Sequence, residues 1–262
     1  MSARTPYIGI TGIVTAGDIH ALRTLAWKAP PPFGYRWMAG VLVSAKTLAG
    51  GATTNARYPR FADVPALLEE LGDDTRTWPV VHFNCREGLA GHLRTLAGLE
   101  AMRGLQLNVQ NPDRGEVAAF KRDRPDVEFI LQVNAAAADE SGALTPDSIR
   151  RYIDRYDGVA DFALVDASAG RGKAIDLAVA RQIAAYRPGM ALAGGFGPGT
   201  DSAVRALCEV ARDLSFDAES RVRRPLARPL EGVPYQDELD PQAAFEWAWV
   251  ARRCIENSRS WQ

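Results

Sequence analysis

The stretch DFALVDASAGRGKAIDLAVARQIAAYRPGMALAGGFG, Asp161 to Gly197, contains a complete strand–loop–helix–strand unit. Asp161–Asp166 is a short apolar run that ends in a carboxylate. Asp176–Tyr186 repeats apolar residues at i, i+3 and i+4, the spacing of one helix face. Met190–Gly194 is a second apolar run, followed at once by glycines. Two strands joined through a helix run parallel, because a two-residue turn cannot connect them.

The same unit recurs on both sides. Further apolar runs lie at Tyr7–Val14, Met38–Ser44, Val80–Asn84, Leu105–Val109, Glu128–Asn134 and Leu214–Ala218. Most begin roughly 23 to 33 residues after the one before, about the length of a βα unit. Helical periodicity fills the intervals at Gly17–Lys28, Phe61–Leu71, Glu87–Met102, Glu116–Arg122, Pro146–Tyr156, Asp201–Arg212 and Pro241–Ile255. Thr145-Pro146-Asp147 reads as an N-cap with proline in the first turn, and Asp240-Pro241 reads the same way. Eight strand–helix pairs in strict alternation predict an α/β fold, a (β/α)8 TIM barrel formed as a single domain over residues 1–262. An open doubly wound sheet is the alternative, and it usually has fewer strands.

Composition narrows the function. Hydrophobic residues make up 47% and charged residues 24% of the 262, the balance of a chain with a sizeable core. With a net charge of −1 and no basic stripe, nucleic acid is not an expected partner, nor is a membrane surface. Neither a secretory leader nor an apolar span of ~18 residues is expected. Cys85, Cys208 and Cys254 form no disulfide framework or metal knuckle, which fits a reducing cytoplasm.

In such a barrel the chemistry sits on the loops that follow the strands. Three of these are unusual: the long Ala45–Arg60, the Gly170-Arg171-Gly172-Lys173 loop, and Gly194–Gly199. Glycines at Gly194 and Gly195, ahead of a helix start near Thr200, let backbone N–H groups approach an anion. A tight turn with no ligand is the plain alternative. Asp166 brings a carboxylate to the rim, suited to general acid work, or to pairing with Lys173.

These residues resemble a family. Leu164-Val165-Asp166 with the following Gly-rich loop to Asp176 is similar to the strand-six segment of phosphoribosylanthranilate isomerases. Leu192-Ala193-Gly194-Gly195-Phe196 is similar to their phosphate loop, and Phe216-Asp217-Ala218-Glu219-Ser220 to their strand eight. Gln106-Leu107-Asn108 and Asn55-Ala56-Arg57-Tyr58-Pro59 match in order. The resemblance implies a barrel isomerase for a phosphorylated aminoaldose with no cofactor. It implies Asp166 as general acid and Arg57 as a clamp for a substrate carboxylate. Gln106, Asn108, Arg171 and Lys173 become substrate contacts, and Gly194, Gly195 and Ser220 phosphate contacts.

The departures are specific. Thr11 stands where the family carries the strand-one cysteine that acts as general base, and a threonine hydroxyl cannot take that role unaided at neutral pH. Arg221 replaces a glycine and offers a bidentate phosphate donor or fills the pocket. Val109 replaces another glycine. Cys85 is a candidate stand-in base, although a rim cysteine is more often inert. A metal at His82 would need further ligands, and His20 and His92 fall on helices outside the barrel. Lys46 is positioned for a Schiff base or simply for solvent. Trp247 and Trp249 read as packing or as a contact between copies in a homo-oligomer. The expected function is therefore acid–base isomerisation of a phosphorylated small molecule, with a non-catalytic ligand-binding barrel and a structural scaffold as rivals. Efficient isomerisation of phosphoribosylanthranilate itself is not expected.

Overall fold

The computed structural model describes residues 4–51, 55–134, 144–166, 176–228 and 236–259. Eight parallel strands close into a barrel in sequence order: β1 Tyr7–Thr11, β2 Arg36–Ser44, β3 Thr77–Asn84, β4 Gly104–Leu107, β5 Glu128–Val133, β6 Phe162–Asp166, β7 Met190–Ala193 and β8 Ser215–Ala218. Closure is made by β1 on β8, with Ile8 opposite Phe216 and Ile10 opposite Ala218. All eight predicted runs are strands, so the barrel is the fold and the open sheet is excluded.

The helices are α1 Ala16–Ala21, α2 Ala45–Leu48, α3 Val64–Gly72, α4 Leu89–Ala97, α5 Arg114–Asp123, α6 Pro146–Asp154, α7 Leu177–Ala184, α8 Asp201–Cys208 and α9 Pro241–Arg259. The two predicted proline starts are helix starts. Thr145 and Ser148 cap each other reciprocally at α6, and the Asp240 carboxylate accepts from the N–H groups of Gln242 and Ala243 at α9. Each supplies acceptors to first-turn N–H groups that lack helical partners.

Two expectations change. Glu87–Met102 is helical only over α4, which begins after Gly88 with its left-handed φ of 71° and stops at the C-cap Gly98. The first residues of the long Ala45–Arg60 loop form α2, which a Ser44–Thr47 capping box nucleates. One pairing had no sequence signal: β9 Arg223–Pro225 runs antiparallel to β10 Asp237–Leu239.

Most of the core lies between the strands and the helices. The barrel interior is filled only in its lower half, by Tyr7, Met38, Trp78, Val80, Ile130, Phe162, Leu164, Ala191 and Ala193. Tyr7, Trp78 and Phe162 form an aromatic floor with centroids 5.3 to 5.5 Å apart. The Arg36 guanidinium closes it from below, 3.6 Å from the Trp78 ring and paired to Glu128. The barrel is thus plugged at the amino ends of its strands and open at their carboxyl ends. Among the described residues, no helix is long and apolar enough to cross a membrane.

Candidate active site

A cavity of about 740 Å³ occupies the open end. Successive strand residues alternate between the two faces of a sheet, so residues two apart share the cavity. These are His82 and Asn84 on β3, Gln106 on β4 with Asn108 just past its end, and Gln132 on β5 with Asn134 just past its end. This side of the cavity is an uncharged polar wall. The Asn84 amide donates to Tyr58 Oη at 2.7 Å, and the Gln106 amide to Asn108 Oδ1 at 2.7 Å. The Gln132 amide donates to Asp166 Oδ2 at 3.1 Å. Burial pushes the His82 imidazole down to about 3, so it is neutral in any ordinary buffer.

The opposite wall carries charge. Asp166 ends β6, Asp217 lies within β8, and Glu219 follows β8. Asp217 is the most perturbed. Burial, then the charges of Glu219 and Asp166, raise it well above the carboxylate range, against the hydrogen bond from Thr11. Burial also raises Glu219, against the pull of Arg57.

Glycine makes room for this carboxyl. A Cβ on Gly9 would lie 2.6 Å from Asp217 Oδ1, and one on Gly40 would lie 2.6 Å from Thr11 Oγ1 and 2.8 Å from His82 Nε2. Asp217, Thr11 and His82 therefore occupy the space that two side chains would otherwise fill.

The third part is the turn after β7. Gly194 and Gly195 take φ of 105° and 75°, a region that side-chain-bearing residues rarely adopt. Phe196 anchors the turn against Phe216 and Trp247. Arg221 crosses it, donating to the Gly195 carbonyl at 3.0 Å.

Of the sequence-predicted residues, Asp166, Arg57, Gln106, Asn108, Gly194, Gly195, Ser220 and Arg221 all line this cavity. Arg171 and Lys173 lie outside the described residues. Thr11 does not line the cavity. It is fully buried, and its hydroxyl donates to Asp217 Oδ1 at 3.0 Å, so it supports a carboxyl rather than meeting a ligand.

Cys85 also lies off the cavity. One residue beyond Asn84, it turns to the outer face and packs on the helix layer. Burial and Glu116 raise its thiol, the wrong direction for a base. Lys46 is exposed on α2, away from the cavity. Trp247 is a packing residue, buried with its indole N–H on the Gly9 carbonyl. Trp249 is exposed.

Arg57 is in place but engaged. It meets Glu219 Oε1 at 2.6 Å and Asp237 Oδ2 at 2.5 Å, and Arg223 meets the same Asp237 at 2.6 Å. The expected clamp on a substrate carboxylate is closed on two carboxylates of the chain itself. Asp217, Glu219, Gln132 and Asn134 were missed as site residues. Their signal was available: Gln132-Val133-Asn134 repeats Gln106-Leu107-Asn108 one strand later, and Asp217-Ala218-Glu219 puts two acids on one face. Among the described residues, no group of three or more His, Cys, Asp or Glu is arranged to hold a metal ion.

No family model and no curated protein matches the chain. Solved structures do match over nearly its whole length. Phosphoribosyl anthranilate isomerase from Thermus thermophilus superposes with a TM-score of 0.63 at 18% identity, over 93% of this chain and 97% of the other. The enzyme from Pyrococcus furiosus gives 0.63 at 16% identity, over 95% and 99%. A phosphoribosyl anthranilate isomerase bound to reduced 1-(o-carboxyphenylamino)-1-deoxyribulose 5-phosphate gives 0.61 at 15% identity, over 95% and 99%. The chain has the barrel fold of these isomerases.

Proposed function

We propose that the chain binds a phosphorylated small molecule in this cavity and isomerises it by acid–base chemistry. The phosphate is assigned to Gly194, Gly195, Ser220 and Arg221, where a glycine turn, a hydroxyl and a guanidinium meet. In support, one structural neighbour holds a phosphorylated ligand, and the loops after strands seven and eight of such barrels commonly bind phosphate.

The observation that carries the reading is the convergence of Asp166 and Asp217 on the same cavity as that turn. Proton transfer from carbon needs an acid and a base whose properties differ. Asp217 is the member held in its acid form. Asp166, oriented by Gln132, takes the proton from the carbon beside a carbonyl, while Asp217 protonates the carbonyl oxygen to give an enediol. The reverse transfers on the neighbouring oxygen and carbon yield the ketose, with no net change in protons. This assigns Asp217 the acid role that the family resemblance implied for Asp166, and gives Thr11 none beyond holding Asp217.

The test is NMR detection of ketose formation across a panel of phosphorylated aldoses and aldosylamines, with thermal shifts against inorganic phosphate beside it. Phosphate should stabilise the wild type and not a Ser220→Ala/Arg221→Ala double variant. Phosphoribosylanthranilate should not turn over at an enzymic rate. Stabilisation by sugar phosphates without any turnover in the panel would establish the binding-only barrel instead. Equal stabilisation of wild type and double variant would refute the phosphate assignment.

A further inference from the structure

We infer that the wall on β3, β4 and β5 reads the hydroxyls of a polyol chain, so that the ligand is an open-chain sugar phosphate without an aromatic carboxylate. The inference rests on the phosphate reading above and adds what lies at the other end of the ligand.

Two buried polar atoms point to a ligand. His82 Nε2 and Gln106 Oε1 have no hydrogen-bond partner. Both residues are only 2% exposed, both line the cavity, and they sit opposite each other on β3 and β4. A buried polar atom left without a partner is costly, and a ligand that satisfies both recovers that cost.

The surrounding bonds set the polarity of the wall. The amide N–H groups of Asn84, Gln106 and Gln132 are directed at Tyr58 Oη, Asn108 Oδ1 and Asp166 Oδ2. An amide whose nitrogen is so placed turns its carbonyl oxygen the other way. The wall therefore presents these oxygens, the unpartnered Gln106 Oε1 among them, beside the second N–H of each amide, and calls for groups on the ligand that donate as well as accept. Hydroxyls do both. A carboxylate, which only accepts, would meet these oxygens and the three acids across the cavity. The described cations that line the cavity are Arg57 and Arg221. Arg57 is closed on Glu219 and Asp237, and Arg221 lies at the phosphate end.

Calorimetric titration with ribulose 5-phosphate, pentyl phosphate and inorganic phosphate tests this. The sugar phosphate should bind at least about tenfold more tightly than pentyl phosphate, the effect of one good hydrogen bond. Gln106→Leu and, separately, the half-buried Asn108→Leu should erase that preference and leave inorganic phosphate binding unchanged. Equal affinity for the two organic phosphates, or a preference that survives in both variants, overturns the polyol assignment while the phosphate reading stands. Failure of inorganic phosphate and pentyl phosphate to bind overturns the phosphate reading instead. Thermal stabilisation by free ribitol, present in wild type and lost in Asn108→Leu, would then still support the wall's role, and its absence would overturn it.

Discussion

The two walls of the cavity are built by the same barrel, at the same height, from opposite kinds of side chain. The β3–β5 wall holds a neutral imidazole and carboxamides, three of which donate to near neighbours. The β6–β8 wall holds three acids, of which Asp217 and Glu219 are raised by burial and by their neighbours' charges, and it depends on distant partners. Thr11 and Asp217 are 206 residues apart, and Arg57 and Asp237 are 180 apart. One wall carries the proposed recognition of the ligand. The other holds the raised carboxyls to which the proposed function gives the proton transfer.

The strongest way to break this comparison is to neutralise each wall in turn. Asp217→Asn and Asp166→Asn should each lower turnover by about 10²- to 10⁴-fold, the usual contribution of a positioned acid or base, with little change in melting temperature for Asp166→Asn. Gln106→Leu should act mainly on KM. Steady-state kinetics on the substrate found in the panel decides it, and a loss of kcat in Gln106→Leu as deep as in the aspartate variants would merge the two walls into one function.

Next in size is the ion network that caps the charged wall. Asp237 accepts from both Arg57 and Arg223; burial pushes its carboxyl up, but these bonds hold it below the usual range. Removing it takes a carboxylate from two largely buried guanidiniums, leaving Glu219 on Arg57 and the Gly12 carbonyl on Arg223, and breaking such a pair costs roughly 3 kcal/mol. Urea denaturation of Asp237→Ala should show a loss of that order. A loss under about 1 kcal/mol would mean that the network behaves as surface ion pairs do.

The strands and the β3–β4 part of the amide wall were legible because both depend on local pattern. Apolar runs at regular intervals specify eight strands, and His82-x-Asn84 and Gln106-x-Asn108 specify a shared face without reference to the rest of the chain. The charged wall was only half legible. Asp166 stands out at a strand end, but Asp217 acquires its character from burial, from Glu219 beside it and from Asp166, against the bond from Thr11, and closure of the barrel is what brings Thr11 to it. Arg57 shows the same limit. Its position follows from a motif, whereas its engagement follows from β9 and β10, whose pairing carries no periodic signal.

The walls should also respond to pH in opposite directions. His82 titrates near 6.5 unfolded and at about 3 folded. Below pH 6.5 the unfolded chain takes a proton that the folded chain refuses, so this group's stability is present above 6.5 and lost as pH falls. Asp217 is the mirror case. Its folded form keeps a proton that the unfolded chain releases near 3.8, so its contribution is present below 3.8 and lost as pH rises. Relative to His82→Gln, wild type should lose about 1.4 kcal/mol per pH unit between pH 6 and 4. Relative to Asp217→Asn, it should lose stability as pH rises from 4 toward neutrality. Chemical denaturation at several pH values measures both, and slopes of the same sign would show that the walls do not differ in this way.

The smallest expected effect is the most diagnostic for Asp217. Thr11→Val keeps the shape of a fully buried side chain and deletes only the hydroxyl that meets Asp217. If the carboxyl is neutral at rest, a bond between neutral groups is lost, at about 1 kcal/mol. If it is ionised, a charge-assisted bond is lost, at about 1.5 to 3 kcal/mol. The Thr11 bond also lowers the Asp217 pKa, so the variant should shift the Asp217-dependent limb of the pH–rate profile upward while kcat at its optimum stays near wild type. A stability loss approaching 3 kcal/mol with an unmoved limb would mean that Asp217 rests as a carboxylate, and the acid role would then have to return to Asp166.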